Sequence, residues 1–208
     1  GSEGWAKPSG PPPGGLQRDW QPAPGATPGQ LQWHSSATAS GDLSPRGRTF
    51  VKRYYDGRLS LITEHEVRWS GEHRYAVRFS GPELSPADGV GFVLHRRLPC
   101  PRNIQKIHST FVSTRGFLCC RTGQNVDRQT VGLPNLEIGR LIVVTVNVDE
   151  AWIRFEVEGG DGVVARAQAP MDTSATPDGK AVGFFCAVVK HESVGLAFQV
   201  EEEAAAEK

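Results

Sequence analysis

Between Arg46 and Val200 apolar residues recur at every second position in short runs, and helical spacing is almost absent. Over His73–Phe79, Tyr75, Val77 and Phe79 fall on one side while Arg74, Ala76 and Arg78 fall on the other, the pattern of a half-buried strand. Val90–Leu94 is a second run framed by glycines. Ile107–Ser113 and Phe117–Arg121 flank Thr114-Arg115-Gly116, which predicts a hairpin with Gly116 at positive φ. Leu141–Val148 is the strongest strand, rich in β-branched residues. Asp149-Glu150 turns it into Trp152–Val157, where Ile153, Phe155 and Val157 alternate with Trp152, Arg154 and Glu156. Gly159–Gly162 predicts another tight turn before Val163–Ala167, and Ala181–Val189 with Val194–Val200 read as a closing hairpin. Many short strands without intervening helices imply an all-β fold, a two-sheet antiparallel β-sandwich. Its expected core is Tyr75, Val77, Phe79, Phe92, Val144, Val146, Ile153, Phe155, Phe184 and Phe198.

The remainder of the chain reads differently. Residues 1–45 contain 8 of the 15 prolines and 8 of the 24 glycines, too little apolar surface to offset the entropy of ordering. They read as a disordered arm or linker, with Trp5, Trp20 and Trp33 as incidental aromatics, of which Trp33 is the candidate to dock on the domain. The expected organisation is thus an arm over 1–45, the sandwich over 46–200 and an acidic tail over 201–208, so that truncation to Arg46 leaves stability nearly unchanged. The tail favours helix in composition and is too short to hold one alone. A start at Gly1-Ser2 in place of Met reads as a piece of a larger protein.

Charge changes the picture only locally. The net charge is zero, but residues 46–128 hold 15 Lys/Arg against 7 Asp/Glu, and residues 129–208 hold 6 against 13. The basic half has two clusters. Arg46, Arg48, Lys52, Arg53 and Arg58 surround Phe50, Tyr54 and Tyr55; His95, Arg96, Arg97, Arg102 and Lys106 surround Pro99-Cys100-Pro101. From these, Tyr54, Tyr55, Arg96, Arg97, Arg102 and Lys106 are the candidate binding residues. Arginines of this kind fit carboxylates bidentately, so an acidic peptide or protein surface is the expected partner. Stacking plus phosphate contact makes nucleic acid a weaker alternative.

Chemistry is otherwise sparse. The four cysteines, Cys100, Cys119, Cys120 and Cys186, include no CxxC pair, and Cys119 and Cys120 point to opposite faces of one strand. They read as reduced, buried thiols of an intracellular protein, cytoplasmic or nuclear. No apolar run has the length of a membrane helix, and no membrane partner is expected. The histidines form no HxH or HxxxH pair, and no P-loop, G-x-S-x-G or dinucleotide motif occurs. Asn147, Asp149, Asp161 and Asp172 lie on separate turns, a weak calcium signal. Glu156 and Glu158 could share a face beside the Gly159–Gly162 turn, where solvated acids are ordinary, and paired catalytic carboxylates are not expected. No cofactor, metal or catalytic residue is assigned, and the chain is read as a non-enzyme.

Several stretches taken in order resemble the SPRY family of concanavalin A-like sandwiches. Trp69–Phe79, with Gly71, Tyr75 and Val77, is similar to its opening strand, and Gly89–Val93 to the next. Leu136–Asp149, Ile153–Phe155 with Gly159 and Gly160, Val182–Cys186 and Val194–Phe198 resemble its later strands. The resemblance spans roughly 69–200. It implies a SPRY-like jelly roll that recognises peptides or protein surfaces through its loops. A lectin-like carbohydrate-binding domain is the alternative that the same sandwich shape allows.

Overall fold

The computed structural model describes residues 32–54, 59–62, 71–84, 88–94, 109–122, 125–171, 183–189 and 194–202. After a 3-10 turn at Ser35–Ala39 come β1 (Gly41–Leu43), β2 (Thr49–Lys52), β3 (Leu59–Ile62), β4 (Glu72–Ser80), β5 (Gly89–Leu94), β6 (Ser109–Ser113) and β7 (Phe117–Thr122). There follow β8 (Asn125–Thr130), β9 (Leu141–Asn147), β10 (Trp152–Gly159), β11 (Gly162–Pro170), β12 (Gly183–Val189) and β13 (Ala197–Glu202). They form two antiparallel sheets, ordered β1-β2-β13-β4-β9-β10-β11 and β3-β12-β5-β6-β7-β8. This is the expected two-sheet sandwich.

Period-2 alternation decides which side chains meet between the sheets. In the register of the larger sheet Tyr75 lies opposite Val144, and Val144 opposite Phe155, so one inward row crosses three strands. Tyr75, Val77, Phe79, Phe92, Val144, Val146, Ile153, Phe155 and Phe198 are all fully buried or nearly so. Phe79 meets Phe198 edge-to-face, with ring centroids 4.9 Å apart, a geometry favoured by the aromatic quadrupole. The side chain of Phe184 lies outside the described residues.

Three expectations change. The domain does not begin at Arg46, because Trp33 is completely buried in the core and its indole N–H donates to the Phe198 carbonyl at 3.1 Å. Its backbone N–H donates to Gly47 at 2.7 Å, and β1 pairs with β2 through Gly41, Asp42 and Leu43. Trp33, set among Pro and Gly, carries no periodicity, yet its large apolar area favours burial, with Ala37 and Leu43 also in or against the core. At the other terminus β13 runs on through Glu202, which lies opposite Tyr75. Finally, β12 and β13 are not a hairpin. β12 pairs with β3 and β5 in one sheet, β13 with β2 and β4 in the other.

The hairpin turns follow their glycines. Gly116 has φ +75° and its N–H donates to Ser113. Gly160-Asp161 sits between the paired Gly159 and Gly162. β8 departs from the expected pattern, because Asn125–Thr130 contains one apolar residue, and it sits at a sheet edge where little of it is buried.

Candidate functional site

Strand direction sorts the connections onto two ends of the sandwich. Ser80, Leu141, Glu158 and Ala197 lie near one end of the larger sheet, and Gly89, Ser113, Phe117 and Thr130 at the corresponding end of the smaller. Thr114 joins these loops, its N–H donating to Asp88 and its carbonyl accepting from Leu136. The first end therefore carries the residues after β2, the β4–β5 and β6–β7 connections, residues 131–140, the Gly159–Gly162 turn and residues 194–196. The β9–β10 turn at Val148–Ala151 belongs to the second end.

Every large apolar side chain that is exposed among the described residues lies at this first end: Tyr54, Phe117, Ile138, Val163, Val164 and Val194. Tyr54 and Val164 are more than half exposed, at 57% and 55%. Arg115 is exposed alongside them, and Arg140 is paired with Glu137 at 2.7 Å. Loops on one end with exposed apolar residues and mixed charges have the make-up of a protein-contacting surface. Periodicity cannot show this end, because its residues come from six separate connections.

Of the candidate binding residues, Tyr54 stands at the first end. Tyr55, Arg96, Arg97, Arg102 and Lys106 lie outside the described residues. The strand ends flanking 95–108, Leu94 and Ser109, are at the second end, where Leu94 pairs with Gly183 and Ser109 with Arg121. The first basic cluster is also not one face. Phe50 and Lys52 point inward on β2 and are fully buried, with the Lys52 ammonium donating to the Tyr54 carbonyl at 2.6 Å. Arg53 donates to Asp42 at 2.7 Å. A buried ring and a buried ammonium cannot stack on bases or meet phosphates, so Phe50 and Lys52 take no part in binding a single strand.

The outer face of β10 also departs from expectation. Glu156 is not a solvated acid: its side chain is 5% exposed, because Arg166 lies opposite it on β11 and Arg154 precedes it on the same face. Arg166 Nε donates to Glu156 Oε1 at 2.8 Å, and Arg154 Nε stands 3.7 Å from Oε2. Trp152, an aromatic ring of the kind on which a sugar would stack, donates through its indole N–H to Glu150 at 2.7 Å, and the Arg154 guanidinium sits 5.3 Å over its ring. The turn acceptors are similarly occupied, Asp149 by the Gly71 N–H and Asn147 by the Glu150 N–H, both at 2.8 Å. No group of three His, Cys, Asp or Glu side chains fit to hold a metal occurs among the described residues. Burial pushes the Cys119 thiol above its ordinary pKa, which suits a packing group and disfavours a nucleophile.

No family model matches the chain, and no curated protein sequence does. In shape it is similar to the SPRY domain of human HERC1, at 14% identity and TM-score 0.58, with 86% of this chain and 98% of that one covered. A second human SPRY domain, at 14% identity, gives a TM-score of 0.50 over 80% of this chain and 97% of its own. A seed lectin of Lotus tetragonolobus gives 0.51 at 10% identity, with 85% and 94% covered. At such identities the likeness is one of fold. The chain is a SPRY-like β-sandwich of the concanavalin A-like type.

Proposed function

We propose that the domain is a non-catalytic protein-interaction module whose partner seats on the first end of the sandwich. The observation that carries this reading is the gathering of Tyr54, Phe117, Ile138, Val163, Val164 and Val194 on one end. The fold supports it in a general way, since SPRY domains generally bind proteins or peptides and folds of this type are typically non-catalytic. Sugar recognition is the weaker reading, because the Trp152 ring is already covered by Arg154. The buried Cys119 thiol supports placement inside the cell.

The two ends make the test decisive. A photo-crosslinking residue placed at Ile138 or Val194 should trap a protein partner, and one placed at Glu150 on the second end should not. The combined variant Tyr54→Ser, Ile138→Ser, Val194→Ser should lose that partner with little change in melting temperature. If capture instead survives this variant and fails with Arg97→Glu and Arg102→Glu, the partner is an acidic surface read by those arginines.

A further inference from the structure

Among the described residues, the four sheet edges are not protected equally. An edge strand offers a free row of backbone N–H and C=O groups, and proteins blunt such rows by shortening or charging them or with a proline or bulge. Of these, β11 has Pro170 at its end and a register shift between Val163 and Ala165. β1 has three residues and carries Asp42, held by Arg53. β3 has four residues. β8 has six, with Asp127 and Arg128 exposed on it. β11 is nine residues long, Gly162–Pro170, and bears one charge, Arg166, which is already paired with Glu156. Its outer row is Arg166, Gln168 and Pro170, all exposed, and its first residues Val163 and Val164 are exposed as well. The inner row is Ala165, Ala167 and Ala169, which pack against the margin of the core. Short alanines there leave that margin shallow, so apolar side chains laid beyond them would extend the core outward.

We propose that β11 is a strand-addition site that accepts an extended segment of another protein as an eighth strand of the larger sheet. The segment has apolar residues at alternate positions, continuing the alanine row. On its other side it has a carboxylate opposite Arg166, whose side chain is 59% exposed and whose guanidinium is only partly taken up by Glu156. This rests on the domain being a protein-binding module, and adds a mode of recognition separate from the loop surface of the first end.

The test is a phage library of random linear peptides selected against the full 208-residue chain. Selected peptides should alternate apolar residues with polar ones that include Asp or Glu, and should slow amide exchange across β11. N-methylation at every second residue should abolish binding in one register, where the N–H groups face β11, and be tolerated in the other. Arg166→Gln should weaken binding about tenfold, the scale of a lost charge-assisted hydrogen bond. The Tyr54, Ile138, Val194 triple variant should keep the peptide, which separates failure here from failure of the first-end reading. The proposal is overturned if no peptide is selected, if both methylation registers are tolerated, or if protection is confined to the first-end loops. Protection of β11 by self-association of the protein alone would also overturn it, by identifying the occupant as a second copy.

Discussion

At the centre of the larger sheet, β9 and β10 bury Ile142, Val144, Val146, Ile153, Phe155 and Val157, each 1% exposed or less. At its far margin, residues 33–43 supply a three-residue strand and a single 3-10 turn, yet Trp33 is as completely buried as any of those six. The two regions hold themselves in place by different means. In the centre each side chain is one of many, fixed by strands paired on both sides and by neighbours in its own row. At the margin one indole with its bonds to Phe198 and Gly47, and the short β1–β2 pairing, connect the segment to the core. Stability is therefore distributed in the centre and concentrated at the margin, so equal burial does not mean equal tolerance of change.

The largest expected effect breaks the margin altogether. A chain starting at Arg46 loses Trp33 and β1, and opens the core against Phe198. It should lose about 5 kcal/mol or more, on the scale of a domain's whole stability. Circular dichroism melting of the shortened chain beside the full one checks this. A melting temperature within a few degrees of the full chain's would show that Trp33 is a passenger.

A single change in the centre should cost less. Phe155→Ala should destabilise by about 3–5 kcal/mol, because the strands around it stay paired while a cavity remains. Urea unfolding with an unchanged m-value is the measure. Trp33→Phe comes next, at about 2 kcal/mol. It keeps an aromatic ring in the core but gives up the bond to the Phe198 carbonyl and some volume. If Trp33→Phe cost as much as the truncation, the hydrogen bond and not apolar burial would dominate at the margin.

This contrast also marks what could be read in the residues. The centre was legible because Tyr75, Val77 and Phe79, or Ile153, Phe155 and Val157, repeat the strand period several times over, and each repeat narrows the choice of buried face. Trp33 repeats nothing, and its neighbours are the ordinary residues of a linker. β8 was missed for a related reason: an edge strand buries little, so Asn125–Thr130 has no apolar alternation to show. Glu156 reads as solvated until β11 is registered beside β10, since only that pairing brings Arg166 across from it. The first-end surface was least legible of all. Tyr54 is among the candidate residues, but Phe117, Ile138, the adjacent Val163 and Val164, and Val194 come to this end by topology alone, from four separate stretches of chain.

The smallest expected effect lies within the well-determined centre, at the turn that joins its two strongest strands. Ala151 has φ 55°, the only left-handed non-glycine residue among those described. An L-residue there costs roughly 1–2 kcal/mol, and glycine avoids that cost while losing about 0.5–1 kcal/mol to its freer unfolded chain. The Ala151 carbonyl accepts from the Met171 N–H at 2.8 Å, a bond that a change of side chain leaves in place. The methyl group packs against the core margin and gives back part of the gain. Ala151→Gly should therefore stabilise the protein by about 0.5 kcal/mol, a rise in melting temperature of about 1–2 °C. Gly116→Ala is the matching control, because at φ +75° the new Cβ would run into the carbonyl oxygens of Leu133 and Pro134. It should lower the melting temperature where Ala151→Gly raises it. A fall in both would mean that the β9–β10 turn relies on the Ala151 methyl contact more than it suffers from its backbone strain.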